Sequence, residues 1–359
     1  MEKIERKFKR PTKEQAVQAL KGGTRGGDHC PGVFEVLQQF PSFKRVSLPG
    51  PSDWLNSHYE IEQSYALYST TKYTNLFTAE RNSVYIAPLE KSITEKFINL
   101  LTKFCEAFYL GATIKITRAV SLEDPKVVSK ITSRINEHTH NKQYQCHDLL
   151  AKLSSNVPKD AYCLMGCLNT DLYPDENWNF VFGIASKVSR VGVFSFARFS
   201  NTFYDPSLKE DLDSLEYRAL KVMVHEIGHT FNLKHCIYHE CGMNGVNHAD
   251  ELMAKPLEFC AVCLKKLQWN IKFDLVTRFE QLAKICRESG NKLLKELGLE
   301  YELKIQYLAE HNIVANTKSV VEAPTEMTSP TLAPKVPTVK QTPINPKAPK
   351  MTQPPPKPK

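Results

Sequence analysis

Long apolar runs are missing from this 359-residue sequence. No stretch approaches the roughly 18 to 20 consecutive apolar residues that a membrane-spanning helix needs. The first residues are basic but no apolar segment follows them, so we expect no secretory signal. The sequence also contains no N-x-S/T glycosylation sequon. Together these absences predict a cytoplasmic protein, with the nucleus as a second compartment, that is neither secreted nor associated with a membrane.

Most of the chain also lacks a large net positive charge. The net charge is +8, but the last 39 residues, Val321 to Lys359, hold six Lys and two Glu and so contribute +4 of it. The stretch Cys260–Trp269 adds only Lys265 and Lys266, so a basic patch for nucleic acid is poorly supported and we expect no nucleic-acid partner. The last 39 residues also hold 11 of the 22 prolines and no aromatic residue, a composition typical of disorder.

The length allows about two domains, or one large domain with additions. We expect a flexible polar leader over 1–40 and a first subdomain over 41–235. A second, helical subdomain is expected over 236–315, followed by a disordered Pro/Lys-rich tail over 316–359. Nothing in the sequence argues for an oligomer, and we expect a monomer.

Predicted strands alternate with predicted helices along the chain. The strand-like runs are Ser83–Leu89, Ala112–Ala119, Ala161–Leu168, Trp178–Ala185 and Val191–Phe199. The helical stretches are Ser92–Leu110, Gln143–Leu153, Leu212–Phe231, Asp274–Glu288 and Lys292–Ala309. This alternation predicts an α/β (α+β) protein with a mixed sheet. The last two strands are close enough in sequence to form a hairpin.

A possible catalytic site lies in the segment VHEIGHTFNLKH, where His225 and His229 are four residues apart and Glu226 follows the first. On a helix, four residues bring a side chain back to within about 40°. Both imidazoles therefore point the same way and are spaced to bind one metal ion, with the carboxylate beside them. A structural pair of histidines would give the same five-residue pattern.

His235, six residues after His229, strengthens the metal interpretation. A continuous helix would carry it about 600° round and away from the other two histidines, so the helix has to end between them. In the longer metzincin pattern a glycine ends the helix there. This sequence has Asn232 instead, and Asn is the next most tolerant residue of a positive φ.

Four of the ten cysteines fall within 28 residues, as Cys236, Cys241, Cys260 and Cys263. With no signal peptide or sequon, this spacing indicates a thiolate metal site in a reducing compartment and not a disulfide framework. Cys163 and Cys167 lie on one predicted strand about 13 Å apart, too far apart to share an ion, and we expect them in the core.

The order of three features resembles the archaemetzincin family of zinc metallopeptidases, peptidase family M54, and in particular its type 2 branch. These features are the segment VHEIGHTFNLKH, the four clustered cysteines and Met243. The resemblance covers about residues 45–290. It includes the blocks PSDWLNSH (51–58), NEHTHN (136–141), DLYP (171–174), WNFVFG (178–183) and VGVFSFARF (191–199).

The resemblance implies a zincin-like fold and a peptidase that acts on peptide or protein substrates with two zinc ions per chain. His225, His229 and His235 would bind the catalytic zinc, with Glu226 as general base. The structural zinc would be bound by Cys236, Cys241, Cys260 and Cys263, while Met243 would lie below the catalytic metal. It also implies that an antiparallel edge strand binds extended peptide, a role that the position of Val191–Phe199 suggests for that strand.

Several other histidines are interpreted without a metal. His239 and His248 lie near both ligand sets, but those sets are complete without them and we expect surface histidines. His138 and His140 form a lone H-x-H in a polar segment, which is usually not a metal site. A zinc-binding interaction protein with little or no hydrolysis remains the alternative function, although the carboxylate of Glu226 would serve no purpose in it.

Overall fold

The computed structural model describes residues 8–22, 31–71 and 75–315. The expected tail over 316–359 lies outside these ranges. None of the helices within them is both long and apolar enough to cross a membrane.

A five-stranded mixed sheet forms the centre of the protein, with the strand order β2-β1-β5-β8-β7. Three of its four pairings, β2–β1, β1–β5 and β5–β8, are parallel, and β7 runs antiparallel to β8 at one edge. The strands are β1 Ser83–Pro88, β2 Thr113–Ile116, β5 Ala161–Leu168, β7 Gly183–Ser186 and β8 Val191–Ser195. A smaller sheet contains β3 Ser133–Ile135, β4 Lys142–Gln145 and β6 Asp171–Tyr173. The predicted α/β class, with a mixed sheet and an antiparallel edge strand, is confirmed.

Twelve α-helices surround these sheets in the described part of the chain. The first six are α1 Lys13–Gln18, α2 Val33–Leu37, α3 Trp54–Ser57, α4 Tyr65–Thr70, α5 Glu95–Phe108 and α6 Pro125–Val128. The other six are α7 Cys146–Ser154, α8 Leu212–Thr230, α9 Ala249–Ala254, α10 Ala261–Ile271, α11 Leu275–Glu288 and α12 Lys292–Glu310.

The two faces of the main sheet are covered by different helices because strand side chains alternate between the faces. Val191 and Val193 of β8 lie in a cluster with leucines of α7, whereas Phe194 lies in the larger cluster with α5 and α8. All eight residues of the central strand β5 are buried. Cys163 and Cys167 are fully buried within it, as predicted.

Three predicted strands are markedly shorter than expected, and one of them, Ala112–Ala119, forms only β2 Thr113–Ile116. The run Trp178–Ala185 contributes only its end, in β7, and Val191–Phe199 ends as a strand at Ser195, before a short 3₁₀ helix over Ala197–Phe199. The two strands form the expected antiparallel hairpin. However, β8 lies between β5 and β7, so the prediction that Val191–Phe199 supplies the edge strand is wrong. The edge strand is β7.

Most of the region expected to be a loose leader is packed in the structure. Residue Thr12 caps α1 through a capping box, and Ala16, Leu20, Phe34 and Leu37 are buried in the main core. The overall composition of residues 1–40 is polar, and it gave no indication that these few apolar residues pack into the core. The expected flexible leader is therefore wrong for residues 8–22 and 31–40.

One hydrophobic cluster extends across the expected boundary between residues 235 and 236. It joins side chains of β1, α5 and α8 to side chains of α10, α11 and α12. Helix α8, which carries His225 and His229, and the segment 236–263, which carries the four clustered cysteines, therefore pack on the same core.

Candidate metal centres and active site

Helix α8 brings His225 and His229 together. Their Nε2 atoms are 3.0 Å apart. The Nδ1 atom of His225 lies 2.8 Å from the carbonyl oxygen of Gly242, and that of His229 lies 2.8 Å from the carbonyl oxygen of Leu233. A carbonyl oxygen only accepts hydrogen bonds, so each Nδ1 carries a proton and each Nε2 is left with a lone pair.

The turn after α8 returns the third histidine to the other two. Asn232 has φ 62°, and its N–H donates to the carbonyl of His229 while the N–H of Leu233 donates to that of Gly228. These two bonds form a Schellman motif with Asn232 in its left-handed position. The predicted end of the helix is confirmed. The ring of His235 then lies 5.2 Å from that of His225, centroid to centroid, and ring nitrogens of the three histidines lie within 4.8 Å of one another.

Glu226 lies beside this triad and is 5% exposed. Its Oε2 atom is buried and has no hydrogen-bond partner. Gly183 of β7 packs against it so closely that a Cβ at that position would be 2.8 Å from its side chain. Burial raises the pKa of the Glu226 carboxyl to about 8, and a nearby divalent cation would act in the opposite direction.

Met243 is fully buried beside α8. Its sulfur occupies the space beside Gly228, where an added Cβ would lie only 2.5 Å from it. The carbonyl oxygen of Met243 accepts a hydrogen bond from the N–H of Cys236, at 2.8 Å. Met243 therefore contacts α8 through its side chain and is hydrogen-bonded through its backbone to Cys236, the residue that directly follows His235.

The four clustered cysteines converge on one point. Their sulfur atoms lie within 4.8 Å of one another, and all four residues are buried. The Sγ atoms of Cys236 and Cys260 are 3.7 Å apart, and no disulfide joins any of the nine cysteines in the described residues. Hydrogen bonds from the other three thiols hold the pKa of Cys236 well below its usual value. Burial raises the pKa of Cys241 and Cys260.

Both groups of donors fit a metal ion. Three neutral imidazoles with lone pairs directed at one another repel unless a cation lies between them, and they leave one position of a tetrahedral zinc ion free. Four buried thiols form a closed set with the same ion. Buried thiolates are costly without a cation. A bound metal ion would offset that cost, because it neutralises their negative charge and favours deprotonation of each coordinating thiol.

Sequence reasoning missed Glu60, whose carboxylate lies 2.6 Å from Nδ1 of His235. The same oxygen accepts from the indole N–H of Trp54, also at 2.6 Å. Burial is the largest single influence on Glu60 and raises its pKa, but the hydrogen bonds from His235 and Trp54 and the charge interactions with His235 and His229 together outweigh it. The net pKa of Glu60 therefore lies below its usual value. Glu60 is 175 residues from His235 in sequence. The one available signal was its nearness to the PSDWLNSH block.

A cavity of about 600 Å³ opens above the histidines. Trp54, Trp178 and the edge strand β7 line it, together with all three histidines and Glu226. Lys221, one helical turn before His225, donates to the carbonyl oxygens of Leu252 and Met253 at the end of α9. Burial lowers the pKa of Lys221 to about 7. This lysine anchors the segment that forms one wall of the cavity.

The remaining histidines differ in part from expectation. His239 is 2% exposed, so the prediction of a surface histidine is wrong. Residues 44–46 pair with residues 238–240 and cover it, and Gln38 Nε2 donates to its ring at 3.2 Å. His248 is half-buried, with its Nε2 atom 3.0 Å from Oδ1 of Asp53, and it forms a third group of potential ligands with Asp53 and Glu251. His138 and His140 belong to none of the potential ligand groups found among the described residues.

Comparison with known proteins identifies the family. The model of peptidase family M54 matches residues 83–269. Archaemetzincin-2 of Mus musculus is 35% identical over 281 residues, which is 69% of this chain and 77% of the mouse protein. Human archaemetzincin-2 is 34% identical over 270 residues, covering 67% of this chain and 74% of the human protein. The chain belongs to peptidase family M54.

The archaemetzincin chain also resembles solved structures. A crystal structure of archaemetzincin from Methanopyrus kandleri is 26% identical and covers 54% of this chain and 98% of its own, with a TM-score of 0.41. Human archaemetzincin-1 is 30% identical over 64% of this chain and 51% of its own length. The family match and the archaemetzincin-2 relatives confirm the predicted family and the metallopeptidase class. Trp54 and Glu60 precede the residues of this chain that the family model matches.

Proposed function

We propose that this member of peptidase family M54 hydrolyses peptide bonds with a catalytic zinc ion bound by His225, His229 and His235, and with Glu226 as general base. The observation that carries the proposal is the arrangement of the ring nitrogens. Each Nδ1 atom is engaged by an oxygen acceptor, so the Nε2 lone pairs are the donors left for a metal. The unpartnered carboxylate oxygen of Glu226 lies alongside.

Zinc bound in this way supplies a Lewis acid that polarises water and the peptide carbonyl. Glu226 accepts the proton of the attacking water and passes it to the leaving amine. Its burial supports this role, because bulk water does not compete for the free Oε2 atom. The close contact of Gly183 with its side chain restricts the carboxylate to one side of the cavity.

The second zinc ion in this proposal is structural and is bound by Cys236, Cys241, Cys260 and Cys263. Four thiolates complete a tetrahedral zinc site and leave no open position for substrate. Backbone N–H groups of Met243 and Cys260 donate to the sulfur of Cys241, which favours a thiolate there. Because Cys236 directly follows His235, this site also holds the third catalytic ligand in position.

The substrate in this proposal is an extended peptide that pairs with the edge strand β7. That strand lines the cavity from Gly183 to Ala185, and an unpaired strand edge is a template for such pairing. The alternative is a zinc protein that binds partners without hydrolysis. The position of Glu226 favours hydrolysis, because burying a carboxylate without a hydrogen-bond partner costs stability, and a protein that only binds partners would gain nothing in return for that cost.

Zinc content and peptide cleavage, measured on the wild type and on Glu226→Gln, test the proposal. The variant is nearly isosteric, so it should keep two zinc ions and lose at least about 100-fold in cleavage rate, as expected for a lost general base. A wild type that binds two zinc ions but cleaves no peptide in a diverse library would support the binding protein instead. Equal cleavage by both proteins would exclude Glu226 as the base.

A further inference from the structure

The outer edge of β7 carries backbone groups that no strand of the described sheet pairs with. The N–H of Ser195 donates to the carbonyl oxygen of Phe182, and the register continues with Ile184 opposite Val193. In an antiparallel pair, alternate residues face the neighbouring strand. Gly183 and Ala185 therefore direct their N–H and C=O groups away from β8.

Two cavities lie on opposite sides of this free edge. The first is the histidine cavity, and the second, of about 550 Å³, lies between β7 and α7. Ile184, Ala185 and Lys187 line both cavities, so the edge of β7 is the ridge that separates them. The second cavity contains none of the candidate metal ligands.

Side chains of a peptide paired with β7 would alternate between the two cavities. Gly183 faces Glu226 on the α8 side, while Ile184 packs with the α7 cluster on the other. A peptide residue opposite Ile184 or Ser186 therefore directs its side chain towards α7. We infer that the second cavity is a specificity subsite that accepts an aliphatic side chain of the substrate, an inference that rests on the proposed peptidase function.

The lining of the second cavity supports an aliphatic occupant. Leu150 and Ala151 of α7 and Ile184 of β7 contribute apolar walls, and no carboxylate lines it. Val188, at the rim, is 87% exposed, so an aliphatic ligand would remove its side chain from water. The amine of Lys187 is directed elsewhere, since it donates to Oδ1 of Asn232 at 2.9 Å.

The experiment profiles peptide libraries in two ways with the full-length, zinc-loaded protein. Cleavage by the wild type reports which residues flank the cut bond, and binding of arrayed peptides to Glu226→Gln reports the same positions without cleavage. We expect Leu, Ile and Met to be enriched about tenfold at one position. That position should differ by an odd number of residues from those whose side chains face the histidines.

Ala151→Trp tests the assignment of this position to the second cavity. Ala151 is an exposed residue of α7, so the larger side chain should fill the cavity at little cost to folding. The aliphatic enrichment should disappear at that one position and persist at its neighbours. Lys152→Trp, on the same helix but outside the cavity lining, is the matched control and should leave the profile unchanged.

Ala151→Asp provides a gain-of-function arm. A carboxylate in the cavity wall should change the preference at the same position from aliphatic to Lys and Arg, and a melting curve checks that the variant folds. Two results would contradict the proposed subsite. One is that neither library shows aliphatic enrichment, and the other is that both Ala151 variants keep the wild-type profile. Binding to Glu226→Gln that depends on Ala151, with no cleavage by wild type, would retain the subsite and reject the peptidase function.

Discussion

The carboxylate of Glu60 and Nδ1 of His235 are 2.6 Å apart, and a carboxylate there holds the proton of the ring on Nδ1. The Nε2 atom of His235 is thereby left with its lone pair towards the other two histidines. Carboxylates in this position fix the tautomer of a metal-binding histidine and increase its basicity. Glu60 is thus a positioning residue for the proposed third ligand.

Glu60→Gln should weaken zinc binding at the histidine site by about 10-fold, because the amide keeps an acceptor but loses the negative charge. Competition with a chromophoric chelator measures the affinity, and the cysteine site should be unaffected. Glu106→Gln, an exposed position on α5, is the control for the substitution itself. Unchanged zinc affinity in Glu60→Gln would argue that His235 is oriented without the carboxylate.

Asn232→Val should weaken the histidine site, because a β-branched residue at φ 62° costs about 1–2 kcal/mol. Asn232→Gly keeps the turn and loses the hydrogen bond from Lys187, so we expect near wild-type zinc affinity. Asn312 has φ 60° at the end of α12, far from the site in the chain. Asn312→Val should therefore lower the melting temperature without changing zinc affinity, and the same zinc loss in both Val variants would contradict a local effect.

Gly228→Ala should destabilise the protein by about 1–3 kcal/mol, the usual cost of overpacking, since its Cβ would lie 2.5 Å from the sulfur of Met243. Shortening the methionine should relieve the clash. The double variant Gly228→Ala/Met243→Ala should then lose less unfolding free energy than the two single variants lose together, by about 0.5 kcal/mol or more. Denaturant unfolding of the four proteins measures this coupling, and strict additivity would show that the two residues do not compete for space.

Replacing Cys260 and Cys263 by Ser should remove one of two zinc ions and much of the stability, because structural zinc contributes on the order of 10 kcal/mol in small modules. Elemental analysis and thermal unfolding measure the two effects. Cys286→Ser, at a fully buried cysteine outside the cluster, should cost stability but keep both ions. A double variant that still holds two zinc ions would show that the cysteine cluster is not a metal site.

Local patterns predicted the parts of this site that neighbouring residues determine. The four-residue spacing of His225 and His229 implied one helix face, and the tolerance of asparagine for positive φ implied the turn at Asn232. Strand periodicity, in contrast, identifies a strand but not its neighbours in the sheet. The inner strand β8 was therefore mistaken for the edge strand, which the shorter β7 provides. Glu60 carried no local signal beyond its nearness to the PSDWLNSH block, because its role depends on a contact between distant parts of the chain.

Trp54 and Glu60 both precede residue 83, where the match to the family begins. A chain shortened to the matched region would keep all seven candidate ligands and lose the carboxylate that faces His235, together with the indole that shares it. The range matched by the family model is therefore narrower than the set of residues that surround the proposed active site in this chain. A family member without an equivalent of this segment would have to orient its third histidine by other contacts, and the basicity of that ligand would then be set by different neighbours.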